Sequence, residues 1–413
     1  MRARLTSIFQ DKRGNALIMV AATAPLLIGA AAIGLDTIQV TVAKRQLQRT
    51  ADSGALAGAY SLQQKKLPGP SVARALDLND AMTLAAVPVV ENAPTGGPEA
   101  GNSDAVRVIL TANRSVPFMS FFTGSDMAVR VEATAAILKT GRYCVVSLEN
   151  TAVSGVTFRG NAAANLGCGV ATNSTGPTAI AAEGSTVITA SPLSAVGGVP
   201  PASNFAGSTQ YLPNSTAQPD PYAGLPNPIV PGHCSPAVNI NANRTAALSP
   251  GCYRGMLIEG RVNFAPGVYV IDGGSLDIRS QAVVAGTGVT FVLSSATAHS
   301  NPATVASLSI EGGATLNLTA PDSGAYEGLL FYQDRRAPTG TVTIRGNSAS
   351  TVNGAFYFPR QELVYEGGSG FRPTCLRIVS RRVVFAGNSD INNDCPSNRG
   401  SDVQYGYEVR MVN

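Results

Sequence analysis

The pattern of hydrophobic and polar positions changes three times along the chain. Residues 16–35 are an apolar run without one Asp, Glu, Lys or Arg. As a helix rising about 1.5 Å per residue it reaches about 30 Å, the hydrocarbon thickness of a bilayer. Pro25 inside the run is compatible with a membrane helix. Residues 37–60 are rich in Lys, Arg, Gln, Leu and Ala, with no breaker before Gly54, so the helix is predicted to continue as a stalk. The two parts together would measure roughly 60–70 Å. A further helix is predicted over 71–86. Residues 105–112 and 127–138 alternate apolar with polar and predict strands. Between them lies the apolar connection Pro117, Phe118, Met119, Ser120, Phe121, Phe122. Core packing is the expected role of its aromatics, and docking a partner is the alternative.

Past residue 140 the period shortens. Segments such as 267–271, 275–278, 289–293 and 376–379 are short, β-branched and bounded by Gly, Asn or Pro. A motif of an apolar residue, any residue and Gly returns at Gly160, Gly184, Gly260, Gly286, Gly312, Gly346, Gly367 and Gly387. The first pair is 24 residues apart, and from Gly260 the gaps are 26, 26, 34, 21 and 20. Such repeats bury their apolar faces only by stacking on their neighbours, which predicts an all-β right-handed parallel β-helix. A β-sandwich is the alternative. In the solenoid register Glu311, Arg345 and Glu366 precede successive glycines and would form a ladder of alternating charge, with turns about 4.8 Å apart. Residues 197–251, rich in Pro, Asn, Gly and Ser, break the rhythm and predict a long coil ejected from the solenoid or draped over it. Loops of that kind often carry function, which makes this one a candidate contact surface.

Charge and chemistry narrow the reading. Charged residues make up 14% of the chain and the net charge is +4, with Arg2, Arg4, Lys12 and Arg13 ahead of the apolar run. That distribution leaves no basic footprint for nucleic acid. The same basic flank places the N-terminus in the cytoplasm and the remainder outside. A cleaved secretory signal and a processed prepilin leader are the alternatives to an uncleaved anchor. The first lacks a clear cleavage site, and for the second Gly14 is present but Met19 stands where a Glu is needed. The six cysteines, Cys144, Cys168, Cys234, Cys252, Cys375 and Cys395, all fall on the outer side and predict disulfides between sequential pairs. Metal binding is not expected, because there is no C-x-x-C and only His233 and His299 are present. Asp272, Asp277 and Arg279 are the best cluster for cleaving an acidic polysaccharide, and solvated turn carboxylates are the better account of them. No G-x-S-x-G, G-x-G-x-x-G or phosphate-binding loop occurs. No enzyme activity and no cofactor are expected.

One stretch resembles a known family. Arg13-Gly14-Asn15, Pro25, Gly29, Gly34-Leu35-Asp36, Lys44 to Gln48, and Ala51-Asp52-Ser53-Gly54-Ala55-Leu56-Ala57-Gly58-Ala59 look like the N-terminal segment of the TadE/TadG-like proteins of the Flp (tight adherence) pilus system. The missing Glu favours the unprocessed, membrane-anchored TadG-like branch. The absence of a D-x-S-x-S motif points to a member without a von Willebrand A domain. The strand, aromatic connection and strand of 105–138 are similar to that group too.

The resulting expectation is a bacterial inner-membrane protein of five parts. These are a cytoplasmic tail (1–15), a transmembrane helix (16–35), a stalk helix (36–66), a small α+β pilin-like module (67–140) and a β-solenoid ectodomain (141–413), periplasmic or at the cell surface. The resemblance implies a non-enzymatic part in pilus assembly or adhesion, the stalk meeting other pilus-machine or pseudopilin helices. The small residues at the stalk's end would allow such close approach, and equally would let the helix lie on its own domain. A surface adhesin for carbohydrate or protein and a polysaccharide-cleaving enzyme are the alternatives.

Overall fold

The computed structural model describes residues 15–79, 82–161, 163–346, 349–367, 375–387, 390–393 and 404–412. The chain forms two compact units, Met1–Leu138 with Val409–Asn413, and Lys139–Glu408.

In the first unit, α1 (Asn15–Gln63) runs unbroken through Pro25. From Met19 onward it is long and apolar enough to cross a membrane, and Leu26, Leu27 and Ile28 are about 70% exposed. α2 (Pro68–Leu78) starts before the predicted 71–86 and ends sooner. Proline is pre-organised for the first helical turn, and Pro68 supplies it. At the other end the Asn79 side chain turns back to donate to the Ala75 carbonyl. β1 (Val89–Asn92), β2 (Ala105–Arg114) and the first part of β3 (Met127–Ser147) form an antiparallel sheet in which Val89 faces Ile109 and Ala105 faces Ala136. The short β1 was not foreseen.

The apolar connection is a helix, α3 (Pro117–Thr123), closed by Gly124 at φ +67°. Its Phe121 and Phe122 are 82% and 69% exposed, so core packing is not their role. The core of the unit joins Leu47, Ala51, Ala55 and Ala59 of α1 and Val72 of α2 to Val106, Val108 and Val131 of the sheet. The chain's last residues return to it: Val409 is buried there, and the Val412 N–H donates to the Thr134 carbonyl at 2.9 Å.

In the second unit strands pair in parallel, most of them with the strand three places on. One ladder runs Val238–Ile240, Met256–Ile258, Ser275–Ile278, Ser307–Ile310, Gly340–Gly346. A second runs Thr245–Leu248, Arg261–Phe264, Val283–Thr287, Thr315–Thr319. The third runs Gly251–Tyr253, Gly267–Asp272, Val289–Ser294, Leu329–Gln333. Alternation along each short strand sends one side chain in two to the interior, where Ile258, Ile278, Ile310 and Ile344 stand in register and Phe291 stacks on Phe331 at 5.3 Å. Thr351–Gly367 and Cys375–Gly387 are long because each bends from one ladder into the next, Thr351–Gly367 pairing with strands of all three.

The order of these tiers in space is not their order in the chain. Cys375–Gly387 pairs with the beginning of the unit, Ile378 beside Val145 and Phe385 beside Phe158, and Asp390–Asn392 pairs with Ala163–Asn165. From there the tiers continue through Gly169–Thr172 and Ile180–Ala182 to Leu193–Ala195 and Tyr211–Leu212. The chain thus builds outward from residue 143 to 212, returns along 213–237, and builds again from 238 until its last tier meets its first. Residues 197–251 are therefore not one coil, since Tyr211–Leu212, Val238–Ile240 and Thr245–Leu248 fall inside that range. Cys144 pairs with Cys168 and Cys234 with Cys252. The first pair links adjacent tiers, and the second fastens the end of the return segment. Cys395, the expected partner of Cys375, and Gly14 lie outside the described residues.

Candidate functional site

The small residues of the N-terminal motif face inward. Ala51, Ala55 and Ala59 have no exposed surface. A Cβ added at Gly58 would stand 2.8 Å from Val106 and 3.0 Å from Val72. The pattern of alanine and glycine thus lets α1 approach its own sheet and α2, which is the second of the two readings of the stalk. Leu56 and Asp52 are half-buried, and the Gln48 amide joins the Asp52 carboxylate (2.8 Å) to the Glu132 carbonyl (2.9 Å).

Asp36, the first charged residue after the apolar run, is 5% exposed. Its carboxylate accepts the backbone N–H of Met119 in α3 at 2.7 Å. Beside it is a cleft of about 240 Å³ between Ile33, Asp36, Val40, Val116, Met119 and Met127. Gly29 leaves room for Phe118, whose ring tip would be 4.0 Å from a Cβ there; Gly34 meets nothing within that distance. The Asp36 bond had no signal in the sequence beyond the placement of a lone acid at the end of an apolar run.

In the second unit the charge ladder is longer than the three residues expected. Arg345 Nε meets Glu366 at 2.9 Å, but Glu311 bonds Arg279 at 2.5 Å. That hydrogen bond is the main reason the Glu311 carboxyl sits below the usual range. The register places Glu259, Arg279, Glu311, Arg345 and Glu366 on successive tiers, then Ala386, Arg159 and Glu183. Sign alternates along the column, with Ala386 as the one neutral step. The glycines behind it divide. Gly387, Gly160 and Gly184 stack with φ of +81°, +86° and +74°, and a Cβ on Gly184 would lie 2.7 Å from the Gly160 carbonyl. Gly286 stands apart, since it pairs with Phe264 in another ladder. Ser280 takes the turn position between Gly260 and Gly312.

The acidic cluster does not converge. Asp272 accepts the Ala296 N–H at 2.8 Å, Asp277 accepts the Ser275 hydroxyl at 2.6 Å, and Arg279 is engaged with Glu311. Each carboxylate is thus engaged separately. The return segment 213–237 is held down by groups sequence reasoning missed. Arg335 donates to the Tyr222 and Leu225 carbonyls and to the Tyr357 hydroxyl, and that hydroxyl donates to Asp220 at 2.7 Å. Next to it, fully buried Asp334 accepts from Ser294 and from Arg336, which also reaches the Pro228 carbonyl. Burial alone would raise the Asp334 carboxyl, but these hydrogen bonds outweigh it and hold it below its ordinary value. Burial pushes the Tyr332 hydroxyl up to about 12. The successive Asp334-Arg335-Arg336 after an apolar strand was the available signal. Among the described residues no group of side chains is arranged to hold a metal ion.

Neither a curated protein nor a solved structure matches the chain. The buried small-residue face of α1, Asp36 and the span before it all fall within one stretch, and it is this stretch, residues 14–61, that matches the Tad family model, Putative Flp pilus-assembly TadE/G-like.

Proposed function

We propose that this chain is a membrane-anchored, non-enzymatic envelope component of Flp/Tad pilus assembly. The family match over residues 14–61 carries the reading. The basic flank of the apolar run orients the N-terminus to the cytoplasm of a bacterial inner membrane. The second unit then lies outside, where its disulfides persist. The three parallel ladders wind as a β-helix, right-handed because connections between parallel strands almost always are. They give a long rigid surface for a protein or carbohydrate partner. Because the small-residue face of α1 is covered by its own unit, contacts with other pilus-machine helices use the opposite face, where Arg45 and Arg49 are exposed.

The test is deletion of the gene with surface fibrils counted by electron microscopy. Complementation uses the full chain and a chain whose residues 143–403 are replaced by a short linker. Fibrils lost on deletion and restored by the full chain alone make the second unit part of assembly. Normal fibrils in the deletion reject the proposal.

A further inference from the structure

α3 is short, aromatic and exposed, yet it is firmly placed. Its Phe118, Phe121 and Phe122 rings form one cluster with centroids 5.0 and 5.3 Å apart. A contiguous exposed apolar patch marks a protein or membrane contact. What covers them is indicated by α1. Phe118 reaches Gly29, six residues inside the end of the apolar run, about 9 Å below that end at the helical rise. α3 is also bonded to Asp36, and its Met119 borders the same cleft as Ile33 and Val40. α3 therefore lies alongside the boundary between the apolar run and the polar part of α1. On the same stretch Leu26, Leu27, Ile28, Ile33 and Leu35 are themselves more than half exposed, so the aromatic face continues an apolar surface already long enough to lie in lipid.

We infer that α3 is an interfacial wedge, its Phe121 and Phe122 seated in the acyl-headgroup boundary of the outer leaflet, with Asp36 fixing its depth. The inference rests on the reading of α1 as a membrane span. Lipid is the occupant because the face is continuous with the span and phenylalanine suits an apolar site bordering a wet one. Asp36 is a positioning residue. It satisfies a backbone donor of α3 while keeping a carboxylate off the lipid, and a buried acid without such a donor would be costly.

The chain has no tryptophan, so each substitution to Trp gives a single reporter in the full-length protein. Phe121→Trp, Leu27→Trp and Val187→Trp are reconstituted in phosphatidylcholine and phosphatidylglycerol vesicles carrying lipids brominated near the headgroup or deep in the chain. Expected is blue-shifted emission of Phe121→Trp, lost mainly to shallow bromines, with Leu27→Trp lost to deep bromines and Val187→Trp unaffected. Asp36→Ala should move the Phe121→Trp emission toward that of water. If Leu27→Trp is quenched and Phe121→Trp is not, the wedge is refuted and the span stands. Blue-shifted but unquenched emission of Phe121→Trp means protein covers it, which also overturns the inference. If neither is quenched, the span itself is wrong and the wedge with it.

Discussion

Phe385→Ala probes the joint at which the last tier meets the first. Phe385 is 1% exposed and stacks on Phe158 with centroids 4.9 Å apart and planes 12° apart. The two residues are also direct neighbours in the parallel pairing. Truncating a fully buried phenylalanine costs about 3–5 kcal/mol through lost transfer energy and the cavity left behind. About 1 kcal/mol of that reflects the ring pair itself. With a urea slope of about 3 kcal/mol per molar, the unfolding midpoint should fall by about 1 M or more. The assay is urea titration of the full chain in detergent with disulfides intact, followed by near-ultraviolet circular dichroism, with Phe356→Ala as the comparison. Phe356 is as buried, but it joins tiers that are consecutive in the chain. A loss near 1 M for Phe356→Ala and under about 0.3 M for Phe385→Ala would show that the joint is not closed and refute the non-sequential order of tiers.

Three further outcomes follow from the same geometry. Gly58→Val forces a branched side chain between Val106 and Val72 and should lower the stability of the first unit by about 1–3 kcal/mol, read as a lower melting temperature. Arg345→Glu places like charges beside Glu311 and Glu366, so the urea midpoint should drop at low ionic strength and recover in about 0.5 M salt, where screening is short-ranged. Because the Asp334 carboxyl is held below its unfolded value, its contribution is complete above that unfolded value, about 3.9, and is lost only as pH falls through the folded one. Protease resistance of the 213–237 segment should thus be constant from about pH 7 to 5 and fall below about 4; in Asp334→Asn that acid step should be absent.

Much of this was legible because local rules and the tertiary result agree. The apolar run, the small-residue motif and the alternating strands 105–112 and 127–138 each state their own periodicity. The sequential cysteine pairs could be read because a spacing of 18 or 24 residues matches adjacent tiers. Gly286 misled because a glycine inside a strand and one at a turn look alike in sequence; only pairing separates them. The ladder was read short because Arg279 is followed by Ser280 instead of glycine, and because Ala386 interrupts the charges before Arg159 and Glu183. The joint of Phe385 with Phe158 was out of reach, since pairing between ends of a unit has no local signal. The same holds for Arg335, whose partners on 213–237 lie more than 100 residues away in the chain.

The place where the second unit begins and ends has a bearing on descent. The chain leaves the first unit after residue 138 and re-enters it at 409, and in the first unit those two crossings are neighbours, Val412 bonded to Thr134. In the second unit the outgoing end is linked to the first tier through the return segment. Tyr407 accepts from Gln218, Gln218 is joined to Asn173, and Asn173 bonds Ser147. The tiers are therefore a guest inserted between two segments that lie together in a small host. Insertions of that form disturb the host little, because closing even a very long loop costs only slightly more than closing a short one. Host and guest can then evolve at different rates: the host can keep its packing while a different guest occupies the same point of insertion.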